Sequence, residues 1–134
     1  MANNFIKTSV VAALMVSCVG VAGPASANTE VETAELLIKL VHVGRGLISE
    51  HQATINDAGK GDKGFTGDYV ANQVIDRFRK ATKIDLSRPN SSAQAPLFLA
   101  MVESEKEVID EAQPVINKKD GGYKGMIPAG FARK

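Results

Sequence analysis

Tryptophan is absent from this 134-residue sequence, and the other aromatic residues are few, five phenylalanines and two tyrosines. A buried core must therefore be built mainly from Leu, Ile, Val and Ala. Cysteine occurs once, at Cys18, so the chain cannot form an internal disulfide. Residues 28–134 contain no cysteine, which also excludes a thiol nucleophile from them.

An excess of charge of one sign is also missing. Sixteen Lys and Arg residues face fifteen Asp and Glu residues, and Lys7 is the only charged residue among the first 27. The remainder of the chain is therefore neutral. Proteins that bind nucleic acid depend on clustered positive charge. The composition argues against nucleic acid as a partner.

The sequence has no apolar run long enough to span a bilayer. Its longest run, VVAALMVSCVGVAG at residues 10–23, is shorter than the roughly 20 residues that a spanning helix needs. The run follows Lys7 and precedes the small residues Ala25, Ser26 and Ala27. This order is typical of an export signal cleaved after the small residues. We therefore expect a signal peptide at residues 1–27 and one small domain at residues 28–134.

Export sets the expected location of the chain. Cleavage near Ala27 predicts a periplasmic or secreted protein that meets the membrane only through its signal peptide. The alternative is a lipoprotein anchored at Cys18, which follows Met15, Val16 and Ser17.

The clearest positive feature is an internal repeat. Residues Ile48–Phe65 and Ile109–Met126 align without a gap at a displacement of sixty-one positions. A repeat of this kind usually marks one supersecondary unit used twice. The identical positions, numbered in the first copy, are Ile48, Glu50, Gln52, Ile55, Asn56, Gly61, Lys63 and Gly64.

The spacing of apolar residues predicts the first helix of this unit. From about Val31 to Ile55 they recur at helical intervals, which indicates a long amphipathic helix. Asn28 or Thr29 is the expected N-cap. Asn56 is expected to end the helix in a left-handed conformation.

A glycine-rich loop and a second, shorter helix complete the unit. Thr66 is the expected N-cap of that helix, which should end near Thr82. In the second copy, a helix is expected from about Ala93 or Pro96 to Ile116. Pro114 should either kink its last turn or end the regular helix near Ala112.

Together these elements predict a mainly α chain with two copies of a long helix, a glycine loop and a short helix. The acidic segment Glu103–Glu111 should form a solvated helix face. Only the residues from Ile127 to Lys134 are present for the last short helix, and Pro128 would open it. We therefore expect the second copy to be truncated, residues 28–134 to be the N-terminal part of a larger domain, and some apolar surface to lie exposed.

Few residues suggest a binding site. His42 and His51 are nine residues apart on one helix, and at about 100° per residue they lie on opposite faces. They cannot share a metal ion within one chain, so each is at most a single cofactor ligand. The alternative is that both are ordinary, partly exposed helix residues. We predict no metal site in this chain.

Recurring polar residues form the other candidate site. Gln52 and Asn56 recur as Gln113 and Asn117. The residues of each pair are four apart and can hydrogen-bond along a helix surface. They are candidates either for lining a cavity between the two units or for anchoring the loops. The glycine loops lack the spacing of phosphate-binding motifs, and no catalytic constellation is present, so we predict that the chain is not an enzyme.

The sequence resembles the N-terminal part of a bacterial periplasmic "c-type haem family" domain. The resemblance is carried by EHQ, IND and KGDKGFT in the first copy, and by AQP, IN and KGMIP in the second. That family implies a PAS-like α+β sensor domain, found also in histidine kinases, in which a long helix leads into a sheet. Members that bind haem do so through a downstream Cys-x-x-Cys-His motif, which this sequence does not contain.

The resemblance implies a function in sensing or ligand binding. We expect an exported, non-enzymatic module whose partner is a small ligand or haem. Within this chain, His42 and His51 are the only candidate haem ligands, and covalently bound haem c is expected only in a longer form that carries the downstream motif. The alternative is a small helical structural or interaction protein that self-associates as a homodimer.

Overall fold

The computed structural model describes residues 24–88, 92–119 and Lys124. Within these ranges the chain is mainly helical and contains no strand, which confirms the predicted class for this part of the protein. Most of the predicted signal peptide, the lipoprotein cysteine Cys18 and the segment from Pro128 lie outside the described residues. The four helices are α1 (Pro24–Glu50), α2 (Gln52–Ile55), α3 (Gly67–Thr82) and α4 (Ala95–Ile116).

The first helix begins earlier than the sequence indicated. Asn28 and Thr29 lie inside α1, so the prediction that one of them is the N-cap was wrong. Thr33 uses its hydroxyl within the helix, donating to the Thr29 carbonyl at 2.7 Å.

Helices α1 and α2 form an almost continuous rod that is interrupted at His51. The backbone of His51 departs from helical geometry, with φ −96° and ψ 6°. Hydrogen bonds nevertheless cross the interruption, from His51 N–H to the Leu47 carbonyl and from Ile55 N–H to the His51 carbonyl. The rod ends at Asn56 as predicted, but Asn56 is right-handed, with φ −89°, and the predicted left-handed conformation was wrong.

The second helix of the first unit matches its prediction closely. Thr66 is the N-cap of α3, and its hydroxyl accepts a hydrogen bond from Tyr69 N–H at 3.2 Å. The helix ends at Thr82, and Lys83 takes the left-handed conformation, with φ 67°. The apolar stripe of α3 is buried through Val70, Val74 and Phe78.

Pro114 does not end α4. The helix begins at Ala95, has Pro96 in its first turn and continues to Ile116, so of the two alternatives predicted for Pro114 an end near Ala112 was wrong. Proline removes one backbone donor and crowds the preceding turn, yet α4 continues for two residues beyond Pro114. The turn closes with Asn117 N–H donating to the Gln113 carbonyl at 2.9 Å.

Helix α3 lies at the centre of the packing, because it contacts both α1 and α4, whereas α1 and α4 contact each other less. The ring of Phe78 from α3 packs on Phe98 from α4, with the centroids 5.6 Å apart. On α1, Leu36 and Leu37 pack partly buried against the core and the first fully buried side chain described is Leu40, whereas residues 28–35 are mostly exposed. The largest side chains of the core are Phe65, Phe78, Phe98, Leu40, Leu47, Ile48, Ile55, Ile109 and Ile116.

Candidate functional site at the two glycine loops

The recurring polar residues of the first copy lie where α2 meets its glycine loop. Gln52 donates from its amide to the Ile48 carbonyl at 3.4 Å. The Asn56 amide donates to Gln52 Oε1 at 3.3 Å. Asn56 Oδ1 accepts a hydrogen bond from the backbone N–H of Lys124 at 3.1 Å. The end of the first helical rod therefore binds Lys124, which belongs to the glycine loop of the second copy.

The second copy repeats these contacts in the opposite direction. Gln113 donates to the Ile109 carbonyl at 3.1 Å, and Asn117 donates to Gln113 Oε1 at 3.0 Å. Asn117 Oδ1 accepts from the backbone N–H of Lys63 at 3.2 Å. Gln113 also donates to the Phe65 carbonyl at 2.9 Å, a further contact with the first loop. The end of α4 therefore holds the glycine loop of the first copy.

We refer to this pair of exchanged contacts as the loop clasp. Corresponding side chains make corresponding hydrogen bonds, and each asparagine binds the backbone of the lysine that belongs to the other unit. In these contacts the four amides bind one another, the helix backbone and the backbone of the loops. The loop clasp consists of Gln52, Asn56, Lys63, Gln113, Asn117 and Lys124.

The lysines of the loop clasp also bind the end of α4 through their side chains. Lys63 is only 6% exposed, and its ammonium group donates to the carbonyls of Ile116 and, at 3.3 Å, of Lys118. Lys124 donates to the same Lys118 carbonyl at 2.9 Å. Positive charge is favourable at the negative C-terminal end of a helix dipole. Lys63 was not among the residues singled out from the sequence, although its recurrence as Lys124 was a usable signal.

Asp110 binds the other end of the glycine loop. Its Oδ1 accepts a hydrogen bond from Gly67 N–H at 3.0 Å, in the first turn of α3, where negative charge is favourable. A Cβ at Gly67 would lie 2.5 Å from the same oxygen, so a larger residue there would displace the Asp110 carboxylate. Lys106 forms an ion pair with the second oxygen of Asp110 at 3.1 Å. The last part of the first loop and the start of α3 are therefore fixed by the C-terminal half of α4.

His51 packs in a small aromatic cluster and is not open to a ligand. A carbonyl can only accept, so the 2.9 Å contact with the Leu47 carbonyl places a proton on Nδ1. Nε2 then accepts from the Tyr69 hydroxyl at 3.0 Å. The imidazole ring also lies 5.0 Å from the Phe65 ring. Both ring nitrogens are therefore occupied by protein groups.

His42 lies in a different environment. It is exposed on α1 and lines a groove of about 250 Å³ together with Leu37, Ile38, Val41 and Arg45. The structure does not bring His42 and His51 together. No group of three or more potential metal ligands was found among the described residues.

Glu105 contradicts the prediction of a fully solvated acidic face. Its neighbours Glu103 and Glu107 are exposed, but Glu105 is only 6% exposed and faces Gly44 of α1. A Cβ at Gly44 would lie within 2.6–2.8 Å of the carboxyl atoms of Glu105. The absence of a side chain at Gly44 therefore leaves the space that the Glu105 carboxyl group occupies. Oε2 has no hydrogen-bond partner among the described residues, and burial raises the pKa of Glu105 to about 8.

An exposed ion pair joins α1 to α3. Arg77 donates to both carboxylate oxygens of Glu50, at 2.8 and 2.7 Å. These hydrogen bonds hold the pKa of Glu50 below its usual range. Such a bidentate pair fixes the relative position of the two helices. It adds little to the stability of the fold, because water screens the charges.

Comparisons with protein-family models, with curated proteins and with solved structures found no match to this chain. None of the described helices combines the length and the apolar character that crossing a membrane requires.

Proposed function

We propose that this chain is an exported, non-enzymatic sensory or ligand-binding module, related to the haem-associated periplasmic domains that its motifs resemble. One observation carries the proposal. The segments that make up the resemblance, EHQ, IND and KGDKGFT with AQP and IN, contain residues of the loop clasp, including Gln52, Asn56, Lys63, Gln113 and Asn117. Residues of these motif segments therefore make the hydrogen bonds that join the two repeated units.

A scaffold role follows from how these polar groups are used. The amide of Asn56 donates to Gln52 and accepts from Lys124, and the amide of Asn117 donates to Gln113 and accepts from Lys63. Neutral amide side chains supply hydrogen bonds and no acid–base or nucleophilic chemistry, and here they position the backbone of the loops. This use of the motif residues supports a scaffold within a binding or sensory module.

The described residues do not fit a haem group. Both nitrogens of His51 are engaged, and the groove at His42 has a volume of about 250 Å³, below the ~300–1,000 Å³ usual for pockets that enclose a ligand. Haem c therefore belongs, in this proposal, to a longer form with a downstream Cys-x-x-Cys-His motif. The 134-residue chain would contribute the paired helices to which a PAS-like sheet is attached.

Absorbance spectroscopy tests this proposal. The 134-residue chain and a form extended through a downstream Cys-x-x-Cys-His motif are produced in a periplasm that carries the machinery for haem c attachment. We expect a Soret band that survives denaturation only in the extended form, and no saturable Soret change when haemin is added to the 134-residue chain. Stoichiometric haem binding by the 134-residue chain would contradict the assignment.

Mass spectrometry of the exported product tests the localisation. We expect a periplasmic or secreted protein that begins at Asn28. A lipid-modified N-terminal cysteine, lost in a Cys18→Ser variant, would instead establish the lipoprotein alternative.

One observation favours a second function, a helical interaction protein that self-associates. Large apolar side chains on the outer side of α1 remain exposed, among them Val31 and Ile38. Val31 and Ile38 are seven residues apart, so they lie on the same side of α1 and a single second helix can cover both.

A further inference from the structure

The outer side of α1 carries a row of residues at coiled-coil spacing. Val31 is 59% exposed and Ile38 is 56% exposed. At about 100° per residue, Val31 and Ile38 lie on the side of the helix that faces away from the core residues Leu40 and Leu47. Alternating intervals of three and four residues are those of the a and d positions of a heptad, which pack against another helix. This row, which we name the outer seam, consists of Val31, Ala34, Ile38, Val41 and Arg45.

The outer seam borders two concave surfaces. A groove of about 250 Å³ is lined by Leu37, Ile38, Val41, His42 and Arg45. A second groove, of about 430 Å³, lies between the first half of α1 and the residues before α4, and it also includes Leu37. The side chains of a second helix have recesses to enter along this face, as in the packing of knobs into holes.

The charges on α1 are divided between its two halves. The first half carries Glu30, Glu32 and Glu35. The second half carries Lys39 and Arg45, and its last residue, Glu50, is paired with Arg77. Glu30 and Arg45 make no ion pair within the described residues. A second α1 in parallel orientation would bring acid against acid. An antiparallel α1 would bring Arg45 next to the acidic half.

We propose that the outer seam is a homodimer interface in which α1 of a second copy packs antiparallel to α1 of the first. A two-fold axis near Ile38 makes the contact self-complementary, since each copy offers the same face. Ile38 and Val41 form the apolar centre of the interface. Arg45 of each copy pairs with the acidic first half of α1, at Glu30 of the second copy, so two equivalent ion pairs flank the centre.

Sedimentation velocity over a range of protein concentrations tests the interface. We expect the unmodified chain to dimerise reversibly, and Ile38→Glu to weaken dimerisation by at least tenfold, because two buried carboxylates would face each other at the axis. Val115→Glu is the matched control, since Val115 is 46% exposed but lies on α4, away from the outer seam. Far-ultraviolet circular dichroism checks that both variants remain helical.

Charge reversal and cross-linking test the orientation. Arg45→Glu should weaken dimerisation, and adding Glu30→Arg should restore it, because an antiparallel dimer exchanges the two charges within each pair. In a Cys18→Ser background, a mixture of Glu30→Cys and Arg45→Cys chains should form a mixed disulfide, whereas Glu30→Cys alone should not. Self-cross-linking of Glu30→Cys would overturn the antiparallel arrangement. A chain that stays monomeric at several hundred micromolar, or equal effects of Ile38→Glu and Val115→Glu, would overturn the interface.

Discussion

At the scale of single residues, the contact between Glu105 and Gly44 is the most informative. The two residues occupy corresponding positions in the two copies of the repeat, and they face each other across α1 and α4. The carboxyl group of Glu105 fills the space that a side chain at position 44 would otherwise take. It is buried without a partner for Oε2 among the described residues, so its charged form is disfavoured.

Glu105 should make the stability of the protein depend on pH. Its pKa is about 8 in the folded chain and 4.5 when solvated, so the folded state binds more protons between these values. The stabilising contribution is complete below pH 4.5 and is lost as the pH rises through about 8. Glu105→Gln removes this titration, so we expect its free energy of unfolding to exceed that of the unmodified chain by about 1–3 kcal/mol at pH 8. Urea unfolding at a series of pH values measures the difference.

The exposed neighbour Glu107 supplies the control for this prediction. Glu107→Gln should leave the pH dependence of unfolding unchanged, because that side chain is already in water. An equal fall in stability with pH for Glu105→Gln and the unmodified chain would show that Glu105 is not the titrating group.

At the scale of elements, local sequence signals located the helices but not all of their ends. Thr66 identified the start of α3 because an N-cap acts on the backbone N–H groups next to it. The start of α1 was missed because Asn28 and Thr29 are also compatible with a helix interior once residues before them are helical. Asn56 was predicted to be left-handed, but its backbone is right-handed. Its side chain is hydrogen-bonded to Gln52 and to the backbone of Lys124. Such contacts are invisible to local patterns.

The two glycines of α1 should respond differently to alanine. Nothing lies within 4 Å of a Cβ at Gly46, so Gly46→Ala should stabilise the protein by about 1 kcal/mol through helix propensity alone. At Gly44 the added methyl group meets the Glu105 carboxyl, so Gly44→Ala should bring no gain or a loss of about 1 kcal/mol. Denaturant unfolding of both variants measures these changes.

A double-mutant cycle separates the two causes at Gly44. In a Glu105→Ala background the carboxyl is gone, and Gly44→Ala should become stabilising by about 1 kcal/mol. Equal effects of Gly44→Ala in both backgrounds would mean that Glu105 does not occupy the space beside Gly44.

At the scale of the whole molecule, the loop clasp joins units that are distant in sequence. The sequence singled out Gln52, Asn56, Gln113 and Asn117 because they recur, and it left open whether they line a cavity or anchor loops. It could not supply their partners, because the hydrogen bonds from Lys63 to Asn117 and from Lys124 to Asn56 span 54 and 68 residues. Which loop each asparagine contacts depends on how the rod of α1 and α2 lies relative to α4.

Removing either asparagine should cost a similar amount. Asn56→Ala and Asn117→Ala each delete two hydrogen bonds, one of them to the backbone of the other unit, so we expect each to lower the free energy of unfolding by about 1–2 kcal/mol. Chemical unfolding followed by circular dichroism provides the values. Asn72→Ala, at an exposed position on α3, should change stability by less than about 0.5 kcal/mol. A large loss at only one of the two asparagines would show that the exchanged contacts are not equivalent.

The distance along the chain between the partners of the loop clasp also sets when it can form. During synthesis, Asn56 leaves the ribosome long before Lys124. The hydrogen bond between Asn56 and Lys124 therefore cannot form until the second copy has been synthesised. The slow closure expected for contacts of long sequence separation keeps the emerging polypeptide open. For the exported protein that we propose, such a delay would keep the chain unfolded until it has crossed the membrane.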